Sequence, residues 1–322
     1  MDIIISHIRE IVHKIYKLNL YIDKIITTWY NIDMDIKFIN NNLVLEHVKD
    51  FDLKHIFDCG QCFRFNMIDD NTYFGIAKGK ALKISQSCDT ITLYETTEKD
   101  FYDVWFHYFD FGRDYGKIKS ELSRDSVMKT AISYGEGIRI LNQDLWETVV
   151  SFIISASNNI PRIKGIIERL CANFGEEINY MGNTYYSFPT PQRLSELSRD
   201  DLSVIRSGFR DKYIIDAAQK FHSGVLSEDL IRSQSTAEAK KSLMSINGVG
   251  DKVSNCILLF GLGKSDSFPV DVWIKRIMEY CYFDGEQSIS TISRFAEDKF
   301  GNISGFAQQY LFFYARENKI GI

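Results

Sequence analysis

Two ionisable residues, nineteen positions apart, carry the most readable chemistry in this chain. Lys252 ends the stretch Ile246-Asn247-Gly248-Val249-Gly250-Asp251-Lys252 and opens the apolar run Val253–Leu262. Two glycines one residue apart, between two helical patterns, make a tight hairpin. Gly248 and Gly250 leave backbone N–H groups exposed at the start of the second helix, a site suited to a phosphate. A helix N-terminus disfavours a cation by a few tenths to about 1 kcal/mol. An amine placed there is therefore favoured in its uncharged, nucleophilic form. Asp271 lies in Phe268-Pro269-Val270-Asp271-Val272-Trp273-Ile274, after a stiffening proline and before a further apolar helix. That is the place of an N-cap, worth about 1 kcal/mol. Held beside the Lys252 amine, its carboxylate would also stabilise positive charge developing on a sugar. The bland alternatives are a solvated lysine or phosphate clamp at 252 and a simple cap at 271.

The elements that must position these groups follow from pattern. Asp35–Ile39 and Leu43–His47 flank Asn40-Asn41-Asn42. Tyr73–Ile76, Ala81–Ile84 and Ile91–Tyr94 follow, separated by Gly and Asp, so short antiparallel hairpins are expected up to about Glu98. After Thr97 the chain is expected to be helical throughout. Asp144 caps a helix over Leu145–Ser155, and Ile160, Ile163, Ile166, Ile167 and Leu170 form an apolar stripe. Ser235-Thr236-Ala237-Glu238 is a capping box opening a helix through Met244. The expected fold is α+β, a small antiparallel β-sheet domain (34–130, with connecting helices) followed by a larger all-helical domain (131–322). The helix-hairpin-helix falls at 235–262 and the Asp271 loop at 263–275. Residues 1–33 read as an amphipathic extension of unassigned role, with Met34 an alternative start.

Composition limits the partners. Lys plus Arg number 38 and Asp plus Glu 43, for a net charge of −5. Any nucleic-acid site must then be a local patch, because a chain that binds by bulk charge has a basic domain, typically with pI above about 9. Six scattered cysteines do not make a disulfide framework. No apolar run is long enough to cross a membrane, and no signal peptide is recognisable, so reduced thiols in a cytoplasmic protein are expected. Cys59-Gly60-Gln61-Cys62 is a C-x-x-C with no second pair at zinc spacing, so no metal or other cofactor is expected.

Taken in order, several motifs resemble one family. The hairpin with its lysine and the Pro-Val-Asp loop resemble the helix-hairpin-helix GPD superfamily of base-excision DNA glycosylases, and within it the Ogg-type 8-oxoguanine DNA glycosylases. Gly60-Gln61-Cys62-Phe63-Arg64, Gly137–Asp144 with Trp146-Glu147, Ser157-Asn158-Asn159-Ile160-Pro161-Arg162, Gly208-Phe209-Arg210 and Phe306-Ala307-Gln308 complete the resemblance, which spans Asp35 to Arg316. It implies a monomeric, bifunctional glycosylase and lyase that binds duplex DNA containing 8-oxoguanine. Its home would be the nucleoid if bacterial and the nucleus if eukaryotic. Lys252 would attack the sugar and Asp271 would support it. The Gly60 carbonyl would read the lesion's N7 proton, Cys256 and Phe312 would sandwich the base, and Gln308 would bond its Watson–Crick edge. Arg162 and Arg210 would read the opposite cytosine, Phe209 would wedge into the stack, and Asn158, Gly248, Gly250 and Trp273 would touch DNA. Two other readings stay open: a superfamily neighbour for a different damaged base, and a non-catalytic module that uses the hairpin for phosphates only.

This sequence departs from the family at Ser157 (usually Asn), Phe209 (often Tyr), Trp273 (often His) and Asn247 (usually Pro). The first two lie among the opposite-base and wedge motifs. A shallow preference for cytosine opposite the lesion is therefore expected when excision is compared across all four opposing bases; a steep preference would contradict it.

Overall fold

The computed structural model describes residues 34–320; the expectation for 1–33 lies outside them. The chain opens with β1 (Asp35–Ile39) and β2 (Asn42–Glu46), then the short helix α1 (Leu53–Phe57). Strands β3 (Asn66–Asp69), β4 (Thr72–Ala77), β5 (Lys80–Ser87) and β6 (Thr90–Leu93) follow. The six form one antiparallel sheet in the order β1-β2-β6-β5-β4-β3. Asn40 and Asn41 both take positive φ, as do Lys78 and Gly79, and a two-residue hairpin turn with both residues left-handed matches the strand twist. Leu43, Leu45, Leu82, Ile84, Ile91 and Leu93 alternate onto one buried face. That face packs on Phe57, Trp105 and Phe109.

Helices dominate the remainder: α2 (Tyr115–Leu122), α3 (Ser126–Tyr134), α4 (Leu145–Ser155), α5 (Ile160–Phe174) and α6 (Asp211–His222). Then come α7 (Thr236–Met244), α8 (Asp251–Leu262), α9 (Val272–Tyr282), α10 (Ile289–Phe300) and α11 (Ser304–Glu317). Asp144 accepts the Glu147 amide, and Ser235 and Glu238 close both bonds of the capping box. α8 is buried along most of its length, as its unbroken apolar sequence requires.

Continuous helix after Thr97 is corrected in one place. β7 (Glu177–Tyr180) and β8 (Asn183–Tyr186) form a hairpin turning through Met181 and Gly182, both at positive φ. It packs back on the N-terminal sheet. The Tyr180 hydroxyl accepts the Lys83 amide at 3.1 Å and donates to the Tyr94 carbonyl at 2.7 Å, while Tyr185 lies 4.4 Å from Phe74. The exposed edge strand β3 was also not anticipated, because none of its side chains is buried and no apolar alternation marks it.

Two hydrophobic clusters meet along Gly137–Gln143: Ile138 and Ile140 belong to the helical core and Leu141 to the sheet core. Gln61 joins them. Its amide nitrogen donates to the carbonyls of Ile56 (2.9 Å) and Arg139 (2.8 Å), its side-chain oxygen accepts the Leu141 amide (2.9 Å), and its own carbonyl accepts Gln143 (2.7 Å). The residue is fully buried, and all four of these bonds lie in the interior. Gln61→Ala strands the buried Leu141 N–H and Arg139 carbonyl and leaves the Ile56 carbonyl with the Cys59 thiol alone, and should cost about 2–4 kcal/mol in urea unfolding; a loss below about half a kcal/mol would show the two halves to be held otherwise.

Candidate active site

The hairpin is built as its residues require. Gly248 sits at φ +81°, and a Cβ there would lie 2.4 Å from the Tyr213 ring on α6, so both conformation and contact demand glycine. The Asn247 amide is held by Asp216 at 2.8 Å, and Lys220 bridges Asp216 to the Ser245 carbonyl. Gly250 caps α8 without a side chain, has open space around it, and its carbonyl accepts the first helical bond from Ser254 at 2.9 Å. The amides of Asp251, Lys252 and Val253 precede that bond and have no partner within the helix.

Lys252 lies one turn before Cys256 on α8, and its charge acts on the Cys256 sulfur. Its Nζ stands 5.3 Å from the centroid of the Phe152 ring on α4. Asp271 caps α9, accepting the Trp273 amide at 3.0 Å and the Ile274 amide at 2.9 Å through one oxygen. Burial holds its carboxyl above the usual range, against the downward pull of those amides and of the nearby Lys252 charge. Burial likewise raises the Cys256 thiol, opposed by Lys252. A lysine amine, a thiol kept neutral by burial and a desolvated carboxyl therefore share one place, assembled from α8 and the head of α9.

A second group gathers where the Gly60 loop meets α11. Gly60 takes φ +77°, and a Cβ there would press on Phe312 at 3.2 Å. Gln309 donates to the Cys59 carbonyl at 2.9 Å and Arg316 donates to the Asp58 carbonyl, so α11 grips the loop that presents Gly60. Gln308 is buried, and its Oε1 has no hydrogen-bond partner. Gln308, Phe312 and Arg316 are spaced one turn apart on α11. The loop continues to Phe63, whose ring meets Phe152 edge-on at 5.7 Å, which ties this group to Lys252.

The expected DNA contacts gather less uniformly. Phe209 is 54% exposed, a large aromatic standing in water beside Arg210 and Tyr213. Arg162 is exposed, and its charge reaches Arg210. Arg210 itself is buried, and its guanidinium donates to the carbonyls of Ala156, Ser157 and Ser207. In this conformation it braces the Ser157-Asn158 turn instead of pointing outward. Asn158 donates to the Ile154 carbonyl at 3.1 Å, and Ser157 takes φ +50°. Trp273 is half-buried with Arg276 over its ring. Phe152, Gln309, Arg316 and Tyr213 were not anticipated. Helical spacing from Phe312 marks Arg316, but nothing distinguishes Phe152 from any other apolar residue of α4.

Outside this site, Asp35, Glu46 and His47 bring potential metal-ligand atoms within 4.8 Å of one another on the β1–β2 edge. They are largely exposed and already engaged, Glu46 with Lys37 and His47 with Asp89.

The raised carboxyl of Asp271 makes a stability prediction. A group whose folded-state pKa exceeds its unfolded one favours the fold at acid pH and loses that contribution as pH rises through the folded value. Asp271→Asn keeps an acceptor for the two capping amides and removes the buried charge. It should therefore withstand more urea than the parent at pH 7, with the gap closing at about pH 3, below the ordinary carboxylate range. A parent equal to or more stable than the variant at pH 7 would contradict the reading.

Two family models cover most of the chain: the 8-oxoguanine DNA glycosylase N-terminal domain over residues 42–149, and the HhH-GPD superfamily base excision DNA repair protein over 150–308. The structure of MBOgg1 with a low affinity DNA ligand matches with TM-score 0.87 at 47% identity, covering 89% of this chain and all of that one. An 8-oxoguanine glycosylase/lyase from Clostridium acetobutylicum, bound to duplex DNA with cytosine opposite 8-oxoG, matches with TM-score 0.87 at 43% identity over 90% of this chain and all of that one. The Saccharomyces cerevisiae N-glycosylase/DNA lyase is 39% identical over 159 residues, 46% of this chain and 42% of that protein. The chain thus spans about half the length or less of some curated relatives, among them the Arabidopsis thaliana N-glycosylase/DNA lyase (51%). Matched along most of its length by these two models and by closely similar solved structures, the chain belongs to the HhH-GPD superfamily of base excision DNA repair proteins, in its 8-oxoguanine DNA glycosylase branch.

Proposed function

We propose that this chain removes 8-oxoguanine from duplex DNA and then cleaves the strand at the resulting site, with Lys252 as nucleophile. A stacked base shields its own glycosidic bond, so the nucleotide is first flipped out of the helix. The hairpin amides would hold the lesion-strand phosphates, Phe209 would enter the stack, and Arg162 would face the opposing base. The observation that carries the reading is the place of the Lys252 amine, between the Phe152 ring and the Cys256 thiol, within electrostatic reach of the desolvated Asp271.

The uncharged Lys252 amine donates its lone pair to C1′. The base departs with the electrons of the glycosidic bond and takes up a proton. Asp271 stabilises the positive charge that builds on the sugar before the new bond is complete. Loss of the amine proton and opening of the sugar ring give a protonated imine. That imine acidifies C2′, and removal of a C2′ proton expels the 3′ phosphate. Water then returns Lys252. Phosphate binding by itself needs only the hairpin backbone, so the lysine and the buried carboxylate argue against a purely binding module.

Lesion choice rests on Gly60, Gln308, Cys256 and Phe312. The N7 of guanine accepts a hydrogen bond whereas that of 8-oxoguanine carries a proton, so a backbone carbonyl separates them. Gly60 lets the backbone approach closely, and the unpartnered Gln308 oxygen supplies an acceptor in a buried setting. One chain carries all of these groups, which fits action as a monomer. The reading implies residence with the cell's DNA, nucleoid or nuclear; among the described residues no helix is long and apolar enough to cross a membrane.

Borohydride trapping on an 8-oxoguanine·cytosine duplex tests the proposal. The parent should form a covalent protein–DNA adduct, and Lys252→Gln should form none while still binding the duplex. No adduct with the parent would remove the lysine mechanism. Excision of an alkylated base or oxidised pyrimidine without 8-oxoguanine would move the chain to a neighbouring specificity.

A further inference from the structure

We propose that Phe152 is a positioning residue for the lyase chemistry: its ring holds the Lys252 nitrogen and stabilises the cation that forms on it. The inference rests on Lys252 acting as the Schiff-base nucleophile. Nζ lies over the Phe152 ring at 5.3 Å from its centroid, within the range of cation–π attraction. Phe152 is 3% exposed, so no water competes for that contact from the ring side.

The ring is itself fixed. Phe260, two turns beyond Lys252 on α8, stacks on it at 5.5 Å with planes 14° apart, and Phe63 from the Gly60 loop meets it edge-on at 5.7 Å. Phe152 therefore cannot swing away without disturbing both the catalytic helix and the loop that presents Gly60. It supplies a rigid floor for a side chain that otherwise carries four rotatable bonds.

An aromatic floor also suits the order of charges in the reaction. The attacking nitrogen must keep its lone pair available, and a ring face favours the protonated ammonium less strongly than a carboxylate would. After attack, the nitrogen carries positive charge as a glycosyl-ammonium and again as the protonated imine. The ring quadrupole favours both charged species over the neutral glycosylamine between them. A carboxylate in the same position would attract the cation more strongly, but it would also accept a hydrogen bond from the amine and hold it in the ammonium form. Asp271 meets the sugar's charge and Phe152 meets the nitrogen's, a division of roles that the two separate elements, α9 and α4, make possible.

The test replaces Phe152 by mono-, di- and trifluorophenylalanine, which withdraw electron density from the ring face while nearly preserving its shape. Borohydride trapping on a duplex with a preformed abasic site is followed under single-turnover and steady-state conditions, with thermal midpoints as the folding control. The rate of adduct formation should fall stepwise with fluorine number, by about tenfold across the series, with kcat lowered, KM unchanged and midpoints level. Phe152→Leu should fall at or below the trifluoro variant, and Phe152→Tyr should restore most of the rate. Level rates across the fluorinated series, with a parent that traps normally, would overturn the role of Phe152 and leave the lysine mechanism standing. A parent that forms no adduct would remove both.

Discussion

A carboxylate kept largely out of water is the constraint on which the site depends. Asp271 is tolerated there because it receives two backbone amides at the head of α9 and faces a lysine. Neither alone suffices: burial still dominates and leaves the carboxyl raised. Holding it requires that α8 and α9 meet at a set angle, that the Phe268-Pro269-Val270 approach be buried, and that α11 close the back of the loop. The Ser265 carbonyl accepts the Gly305 amide of α11 at 2.8 Å, and Gly305 has no room for a side chain against Leu259 and the Ser265 and Ser267 carbonyls. These contacts from α8, α9 and α11 hold the unfavourably buried carboxyl in place.

The Gly60 loop depends on a different economy of polar groups. Gln61 uses its whole amide to hold the two halves together, and Gln309 reaches across from α11 to the carbonyl before Gly60. Those bonds fix the backbone that would present Gly60 to a base. The neighbouring Gln308 is equally buried but keeps an oxygen unpartnered. Two adjacent glutamines thus serve opposite ends, one completing the scaffold and the other left with capacity for a ligand. A buried acceptor without a partner is costly in the empty protein, and a bound base edge would relieve that cost.

Much of this was legible in the residues. The strand pattern from Asp35 to Tyr94, the cap at Asp144, the capping box at Ser235 and the Asp271 cap are local, and local hydrogen bonding settles them. The β7–β8 hairpin was not, because its stability comes from Tyr180 and Tyr185 packing on a sheet a hundred residues earlier. Arg210 shows the same limit. The resemblance alone marks it as a reader of the opposite cytosine; that its guanidinium rests on the carbonyls of Ala156, Ser157 and Ser207, at a turn where Ser157 takes φ +50°, follows only from the packed structure.

By itself, the sequence determined which chemistry was available: a lysine at a helix mouth, an aspartate after a proline, two glycines whose amides suit a phosphate. Those are properties of short segments, where spacing along the chain equals proximity in space. Only the tertiary structure decided which groups that chemistry would use. It put the Phe152 ring beside the Lys252 amine, left Gln308 with a free acceptor while fastening Gln309, and turned Arg210 into a brace. In each case the deciding partner lies on another element, and burial sets the energy of a polar contact only once both elements have packed.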